Sequence, residues 1–152
     1  MSRKGALSRA ELFFDDGSFF DLLARRVAIN TGSRDDDRKP WMMEYLEKEM
    51  KPSLENIDFQ CWVMENPEEP CAPFLIAHRI EDETFPCILI YGHGDTVPGM
   101  DDKWKKGFSP LKLTKKGELW YGRGAADNKG QHAINLAALE CVIKEKKQLG
   151  FN

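Results

Sequence analysis

The chain has 152 residues, of which 41% are apolar and 31% are charged, and its formal net charge is −3 at pH 7. This length suits a single domain, and the composition is typical of a folded globular protein rather than a disordered one. The spread-out lysines and arginines give no basic patch for a nucleic acid, and no run of about 20 apolar residues predicts a membrane span.

Two helices are predicted in the first third of the chain. Apolar residues recur at helical spacing between the start signal at residues 16–18 and the stop signal at residues 30–32. A polar loop is predicted from Ser33 to Lys39. The second helix is predicted to begin at Pro40 and to end before Pro52, because proline suits the first turn of a helix and not its interior.

Strands and a final helix are predicted next. Residues 58–64 alternate apolar and polar side chains, residues 74–80 are a second strand candidate, and residues 117–121 lead from a turn into another strand. The short apolar run from Pro86 to Tyr91 suits a strand covered on both faces, as in the middle of an α/β sheet. The last helix is predicted from Asn128 to Leu149, buried at its start and exposed at its end.

This order of elements predicts an α/β fold, a layered α/β/α domain with a mixed, partly parallel sheet, spanning residues 1–152. A parallel sheet would normally return with a further strand after the last helix. More protein is therefore expected after Asn152.

The first candidate site lies in the segment Gly92-His93-Gly94-Asp95-Thr96-Val97-Pro98, directly after the predicted buried strand. Ligands of open α/β sheets bind beyond the carboxyl ends of strands, where His93 and Asp95 fall. Imidazole is a good zinc ligand, and a ligating histidine usually donates its other ring N–H to a carboxylate. Gly92 and Gly94 would let the backbone leave the strand sharply. A turn histidine beside an aspartate, without a metal, is the alternative.

The second candidate site is the strand-to-helix segment Tyr121-Gly122-Arg123-Gly124-Ala125-Ala126-Asp127-Asn128-Lys129-Gly130. Asp127 could cap the helix, or the helix dipole could hold its carboxylate ready for a cation. Nucleotide binding at Gly122-x-Gly124 is a third reading, but Asp127 replaces the third glycine and would repel a pyrophosphate.

The two motifs in this order resemble those of the zinc-dependent exopeptidases and deacylases, which include acetylornithine deacetylase, succinyl-diaminopimelate desuccinylase, carboxypeptidase G, aminoacylase and carnosine-type dipeptidases. Residues 92–98 resemble the family's first metal motif, and residues 119–130 resemble its second. Trp104, Phe108 and Pro110 match the loop between them. The similarity covers about 60 residues, from Cys87 to Ala138.

The resemblance implies that the chain is the N-terminal part of a catalytic domain without its lid or dimerisation domain. In such enzymes two zinc ions hold the water that hydrolyses an amide bond in a dipeptide or an N-acyl amino acid, and cobalt or manganese can replace zinc. His93 would be a ligand of one zinc, Asp127 the bridging ligand, and Asp95 the catalytic-site carboxylate that orients His93. A cis peptide bond is implied after Asp127.

The resemblance also marks what the chain lacks. The general-base glutamate, the remaining metal ligands and the substrate-selecting residues would lie beyond Asn152, so the chain alone is expected to be inactive. The full-length protein is expected to act on small molecules or dipeptides, as a possible homodimer, without nucleic acid or membrane partners. A non-catalytic binding or assembly module with the same fold is the alternative function.

The remaining residues of interest are interpreted as structural. His78 and His132 are expected outside the site, and Trp104 and Trp120 are expected to pack, while Arg123 and Lys129 suit either anchoring of the turn or substrate binding. Residues 1–14 contain no apolar segment of a signal peptide. The four cysteines form no Cys-x-x-Cys pair and are expected to be buried free thiols of a cytoplasmic protein.

Overall fold

A computed structural model describes residues 3–32 and 38–152 of the chain. The predicted loop of residues 33–39 therefore falls mostly outside the described residues. The described residues form five α-helices: α1 Arg3–Asp15, α2 Ser18–Ala28, α3 Lys39–Glu44, α4 Lys51–Glu55 and α5 Lys129–Lys146. None of the helices in these two ranges is both long enough and apolar enough to cross a membrane.

Helix α1 has no counterpart in the sequence prediction. It packs against α2 and α5, and Arg9 pairs with Glu145 of α5 at 3.2 Å. Ala6 is its one buried residue, whereas Leu7, Leu12 and Phe14 are exposed. A helix without a continuous apolar stripe gives no periodic signal, which is why the pattern did not reveal it.

The second predicted helix is longer than expected, because it continues through Pro52 to Glu55. Between α3 and α4 the chain forms a π-helical turn, Tyr45–Met50, in which the Lys51 N–H donates to the Leu46 carbonyl five residues earlier. In this turn π-helical hydrogen bonds locally replace the i→i−4 hydrogen bonds of an α-helix, which a proline in the helix interior would interrupt. Pro52 therefore lies in the first turn of α4, where its missing N–H costs little.

The strands form two small antiparallel sheets. Strand β1 (Gln60–Met64) pairs with β2 (Phe74–His78), with Trp62 opposite Ile76, and both lie within predicted strands. Strand β3 (Thr114–Lys116) pairs with β4 (Leu119–Tyr121) across Gly117, which has φ +62°. A single parallel bridge joins Gly32 to Thr96. The chain thus combines helices with antiparallel and parallel pairing.

The apolar run at residues 86–91 differs from its prediction as a covered strand. It pairs with no strand in the described part of the chain, and Leu89 and Tyr91 are 93% and 85% exposed. Its backbone contact is with Asn152, which donates to the Pro86 carbonyl and accepts from Ile88. Apolar runs are typical of central strands only where neighbouring layers cover them, and residues 3–32 and 38–152 supply no such layer here.

The four cysteines are free, as expected, but the prediction of burial holds for Cys141 alone. Cys87 is exposed in the uncovered run, and Cys61 and Cys71 are partly exposed. The prediction depended on apolar surroundings in the sequence. Those surroundings are not buried at Cys87, since the run around it has no covering layer.

Two apolar clusters form the core. One joins the α3–α4 helical segment to α5 and is covered by β1 and β2; the other joins α2, Leu113 and Ala133. Trp120 extends the second cluster through ring contacts with Phe14, Phe19 and Phe20, with centroids 5.1 to 5.9 Å apart. The predicted packing role of Trp120 is therefore observed. The first cluster includes Leu136 and Ile143 of α5, and the second includes Ala133, near the segment that carries Asp127.

Candidate metal centre

The two predicted motifs meet at His93. Its Nε2 lies 3.0 Å from Asp127 Oδ1, across 34 residues of chain. Its Nδ1 lies 3.1 Å from Asp95 Oδ1 and 3.1 Å from the Asp95 carbonyl. One ring nitrogen thus faces the carboxylate of the second motif, while the other is held by its own motif. This is the arrangement in which a ligating imidazole is oriented by a carboxylate on its far side.

The surroundings of His93 favour a positive charge at this point. Partial burial lowers the pKa of His93, but the hydrogen bonds to the Asp95 carbonyl and to the Asp127 and Asp95 carboxylates raise it, and the net shift is upward. A site that stabilises an imidazolium between two carboxylates also suits a cation bound between them. Asp127 has an 81% exposed side chain, so a cation could reach it from solvent.

The loop that carries His93 is fixed from one side by Thr31. The buried Thr31 hydroxyl donates to the Gly94 carbonyl at 2.7 Å, and the Thr96 N–H donates to the Thr31 carbonyl at 2.9 Å. Neither Gly92 nor Gly94 has a positive φ. The structure gives these glycines another role, since the place of a Cβ at either position is filled by neighbouring side chains.

Asp127 is held by the turn between β4 and α5. Gly124 has φ +77°, and a Cβ there would lie 2.8 Å from the Thr96 side chain, so this position does require glycine. The peptide bond between Asp127 and Asn128 is cis, as the resemblance implies. Asn128, not Asp127, is the N-cap residue of α5, and it makes no side-chain capping bond. The capping interpretation of Asp127 is therefore wrong.

Asn128 links the two motifs by a second contact, which the sequence analysis did not identify. Its Oδ1 accepts a hydrogen bond from the His93 N–H at 3.3 Å. The only signal in the sequence was the position of Asn128 beside Asp127. The amide oxygen ties the backbone of His93 to the same turn whose carboxylate its ring contacts.

The two basic residues of the second motif anchor its turn. Lys129 is 1% exposed and donates from Nζ to the Ile29 carbonyl at 2.6 Å, and burial lowers its pKa to about 8. Arg123 donates to the Gly99 carbonyl at 3.3 Å, and its guanidinium lies over the Trp104 ring. These contacts favour anchoring over substrate binding for Lys129, whose ammonium is out of reach of solvent.

The other histidines lie at different depths. His78 is exposed on β2 and contacts Gln60, as the structural interpretation expected. His132 Nδ1 lies 2.8 Å from the Tyr45 hydroxyl, and its ring reaches beneath Gly92, next to the His93 loop. His132 is therefore closer to the site than was expected, although it contacts neither His93 nor Asp127 directly.

A cleft of about 330 Å³ opens over the pair His93 and Asp127, lined by residues 93, 95–97 and 122–127. Within residues 3–32 and 38–152, no group of three or more His, Cys, Asp or Glu side chains is arranged to hold a metal. Histidine nitrogen and carboxylate oxygen are suitable zinc donors, so the two side chains fit one edge of a zinc site. A full site needs further ligands.

Comparison with known proteins gives similarity to one family of peptidases. Residues 89–151, which include both motifs, match the model of peptidase family M20/M25/M40. The Cys-Gly metallodipeptidase DUG1 of Candida albicans is 28% identical over 144 residues, which cover 88% of the chain and 30% of that protein. The acetylornithine deacetylase of Vibrio parahaemolyticus is 44% identical over 60 residues, which cover 40% of the chain and 15% of that protein.

The fold comparison covers nearly the whole chain. The crystal structure of human carnosine dipeptidase 1 superposes with a TM-score of 0.86 at 23% identity, over 98% of this chain and 32% of that one. The dipeptidase Dug1p from Saccharomyces cerevisiae superposes with a TM-score of 0.78 at 19% identity, over 96% and 32%. These likenesses confirm the predicted α/β fold. The chain spans about a third of the length of these structures.

Proposed function

We propose that this chain contributes part of the metal site of an enzyme that hydrolyses the amide bond of a dipeptide or an N-acyl amino acid. The observation that carries the proposal is the junction at His93, whose Nε2 meets Asp127 at 3.0 Å while Nδ1 is held by Asp95. The matched family and the dipeptidase and deacetylase relatives support the same reaction class.

Each of the three side chains has a separate task in this proposal. His93 and Asp127 would hold a divalent cation, with zinc as the default and cobalt or manganese as substitutes. Such a cation supplies Lewis acidity, polarising a carbonyl and making water a usable nucleophile near neutral pH. Asp95 would accept a hydrogen bond from the Nδ1–H of His93, which leaves the lone pair of Nε2 to bind the cation.

A general base is the part of the reaction that the described residues do not supply. Glu140 pairs with Lys144, and Glu145 pairs with Arg9. Neither glutamate lines the cleft. Proton transfer from water requires a group within hydrogen-bond reach of it. We therefore expect the 152-residue chain by itself to be inactive, and we take it to correspond to an N-terminal part of the longer relatives' catalytic domain.

The activity is to be assayed with the 152-residue chain and with the protein isolated at its native length. Dipeptides such as Cys-Gly and N-acetyl amino acids are incubated with Zn²⁺, and amine release is measured before and after chelation. The proposal expects turnover that chelation abolishes in the native-length protein and no turnover in the 152-residue chain. Turnover that persists after chelation would contradict the role of the metal, and absence of turnover at native length would contradict the proposal that the protein is an enzyme.

We also infer a cytoplasmic protein that dimerises at full length.

A second candidate is a binding or assembly module that keeps the fold without catalysis. The observation that favours it is the lack of a third metal ligand among residues 3–32 and 38–152. A native-length protein that binds zinc or a dipeptide without hydrolysis would support the module.

A further inference from the structure

The loop that carries His93 lies on a pair of rings formed by Tyr45 and His132. A Cβ added at Gly94 would lie 2.9 Å from Cδ1 of Tyr45, and a Cβ added at Gly92 would overlap the imidazole of His132. The two glycines on either side of His93 are thus pressed directly onto the two rings. The backbone on each side of His93 has no room to move toward α5 or the π-helical turn.

The two rings are fixed to each other before any ligand binds. The Tyr45 hydroxyl lies 2.8 Å from His132 Nδ1, and the ring centroids are 6.1 Å apart at an angle of 26°. Tyr45 is fully buried. Desolvation raises the pKa of Tyr45, and burial together with the charges of Arg26, His93 and Lys129 lowers the pKa of His132 to about 4. A neutral phenol therefore donates to a neutral imidazole near pH 7.

Lys129 also holds the Tyr45 ring in place. The Lys129 ammonium lies 5.2 Å from the centre of the Tyr45 ring, and the same ammonium donates to the Ile29 carbonyl. A cation over an aromatic face is attractive, more so when it is desolvated. The Tyr45 ring is therefore held between the lysine on one side and the glycine loop on another.

We propose that Tyr45 and His132 are positioning residues that seat the loop of residues 92–94 and so fix the place of His93. They act through the glycines that flank His93, and they touch no reacting group. A metal site needs supporting residues that hold its ligands in place to within a few tenths of an ångström. The metal-binding part of this inference rests on the proposed function, whereas the seating of the loop does not.

The first readout is the metal-free loop. Amide hydrogen exchange of His93, whose N–H donates to Asn128, is measured by NMR in the parent and in three variants. Tyr45→Phe removes one oxygen and keeps the ring, His132→Ala removes the imidazole, and His132→Asn keeps an acceptor near the place of Nδ1. We expect exchange at least tenfold faster in His132→Ala, severalfold faster in Tyr45→Phe and close to the parent in His132→Asn.

The amides of β1 serve as the internal control, since they report on global unfolding and not on the loop. Equal acceleration at β1 and at His93 would show that the pair only stabilises the fold, which would overturn the inference. Exchange of His93 unchanged in both His132→Ala and Tyr45→Phe would also overturn it. If His132→Ala does not fold, the comparison of Tyr45→Phe with the parent decides.

The second readout is the zinc affinity of the same variants made in the native-length protein, because the 152-residue chain supplies only one edge of the site; it is measured by competition with a chromogenic chelator. A loss of about 10- to 100-fold is expected for His132→Ala, with recovery in His132→Asn, because residues behind a ligand typically have effects of this size. If the parent binds no zinc while the exchange results hold, the proposed function fails and the seating of the loop stands. If the parent binds zinc equally well in every variant, the positioning role in metal binding is refuted.

Discussion

Acid should destabilise this chain in part through His132. The ring lies near the Tyr45 hydroxyl, the buried guanidinium of Arg26, the Lys129 ammonium and His93. Burial, followed by the charges of Arg26, His93 and Lys129, lowers its pKa to about 4. The unfolded chain would bind a proton at His132 near pH 6.5, so it holds more protons than the folded chain between these values. Stability is therefore present above pH 6.5 and lost as the pH falls toward 4.

The size of this effect follows from the difference between the pKa of His132 in the folded chain and in the unfolded chain. Between pH 7 and pH 5 the free energy of unfolding should fall by about 2 kcal/mol for a fully buried ring, and by about 1 to 2 kcal/mol for the part-exposed ring of His132. His93 works in the opposite direction, because its raised pKa adds stability on acidification. The parent protein alone therefore does not isolate the contribution of His132, and a variant is required.

The assay is urea unfolding at pH 7 and pH 5, followed by tryptophan fluorescence, in the parent, in His132→Asn and in His78→Asn. His78 is an exposed histidine of β2 and is the matched control. His132→Asn should lose about 1 to 2 kcal/mol less than the parent between the two pH values. The reasoning is refuted if His132→Asn loses as much as the parent, or if His78→Asn shows the same relief.

Three further predictions follow from the packing. Gly92→Ala should lower the free energy of unfolding by about 1–3 kcal/mol, because the added Cβ would overlap the His132 ring and lie 2.8 Å from Asn128 Oδ1. An unchanged midpoint of urea unfolding would contradict the packing of this loop on His132. Leu89→Ser should change the free energy of unfolding by less than about 0.5 kcal/mol, because Leu89 is 93% exposed. Leu23→Ala should lower the free energy of unfolding by about 2–5 kcal/mol, because Leu23 is buried in the core. Thermal melts in which Leu89→Ser is less stable than Leu23→Ala would contradict the described core.

The pairing of the two motifs was predictable from the resemblance and not from spacing alone. Residues 92–98 and 119–130 resemble the two metal motifs of the family, and that resemblance implied that His93 and Asp127 lie close together. Strand β1 was predictable because alternation is a direct signal of a half-buried strand, and β2 lies within the second strand candidate, residues 74–80.

What the sequence did not reveal depends on contacts between distant residues. Tyr45 and His132 are 87 positions apart, and nothing in the pattern of either segment indicates that their rings meet under the glycines of the first motif. The covered strand predicted at residues 86–91 failed for the same reason, since coverage is a property of other segments. The second predicted helix continues past Pro52 because of a π turn, and the sequence of Tyr45–Met50 gave no signal of that turn.

The central claim is that His93 and Asp127 share a metal ion. The most direct test is a zinc titration of the native-length protein followed by NMR, with the imidazole nitrogens of His93 and the backbone amides of residues 3–32 and 38–152 as reporters. Among these residues we expect shifts confined to 93–95 and 124–128, a response at Nε2 of His93, and loss of both in His93→Ala and in Asp127→Asn. Shifts centred on other residues, or binding that survives both substitutions, would contradict it.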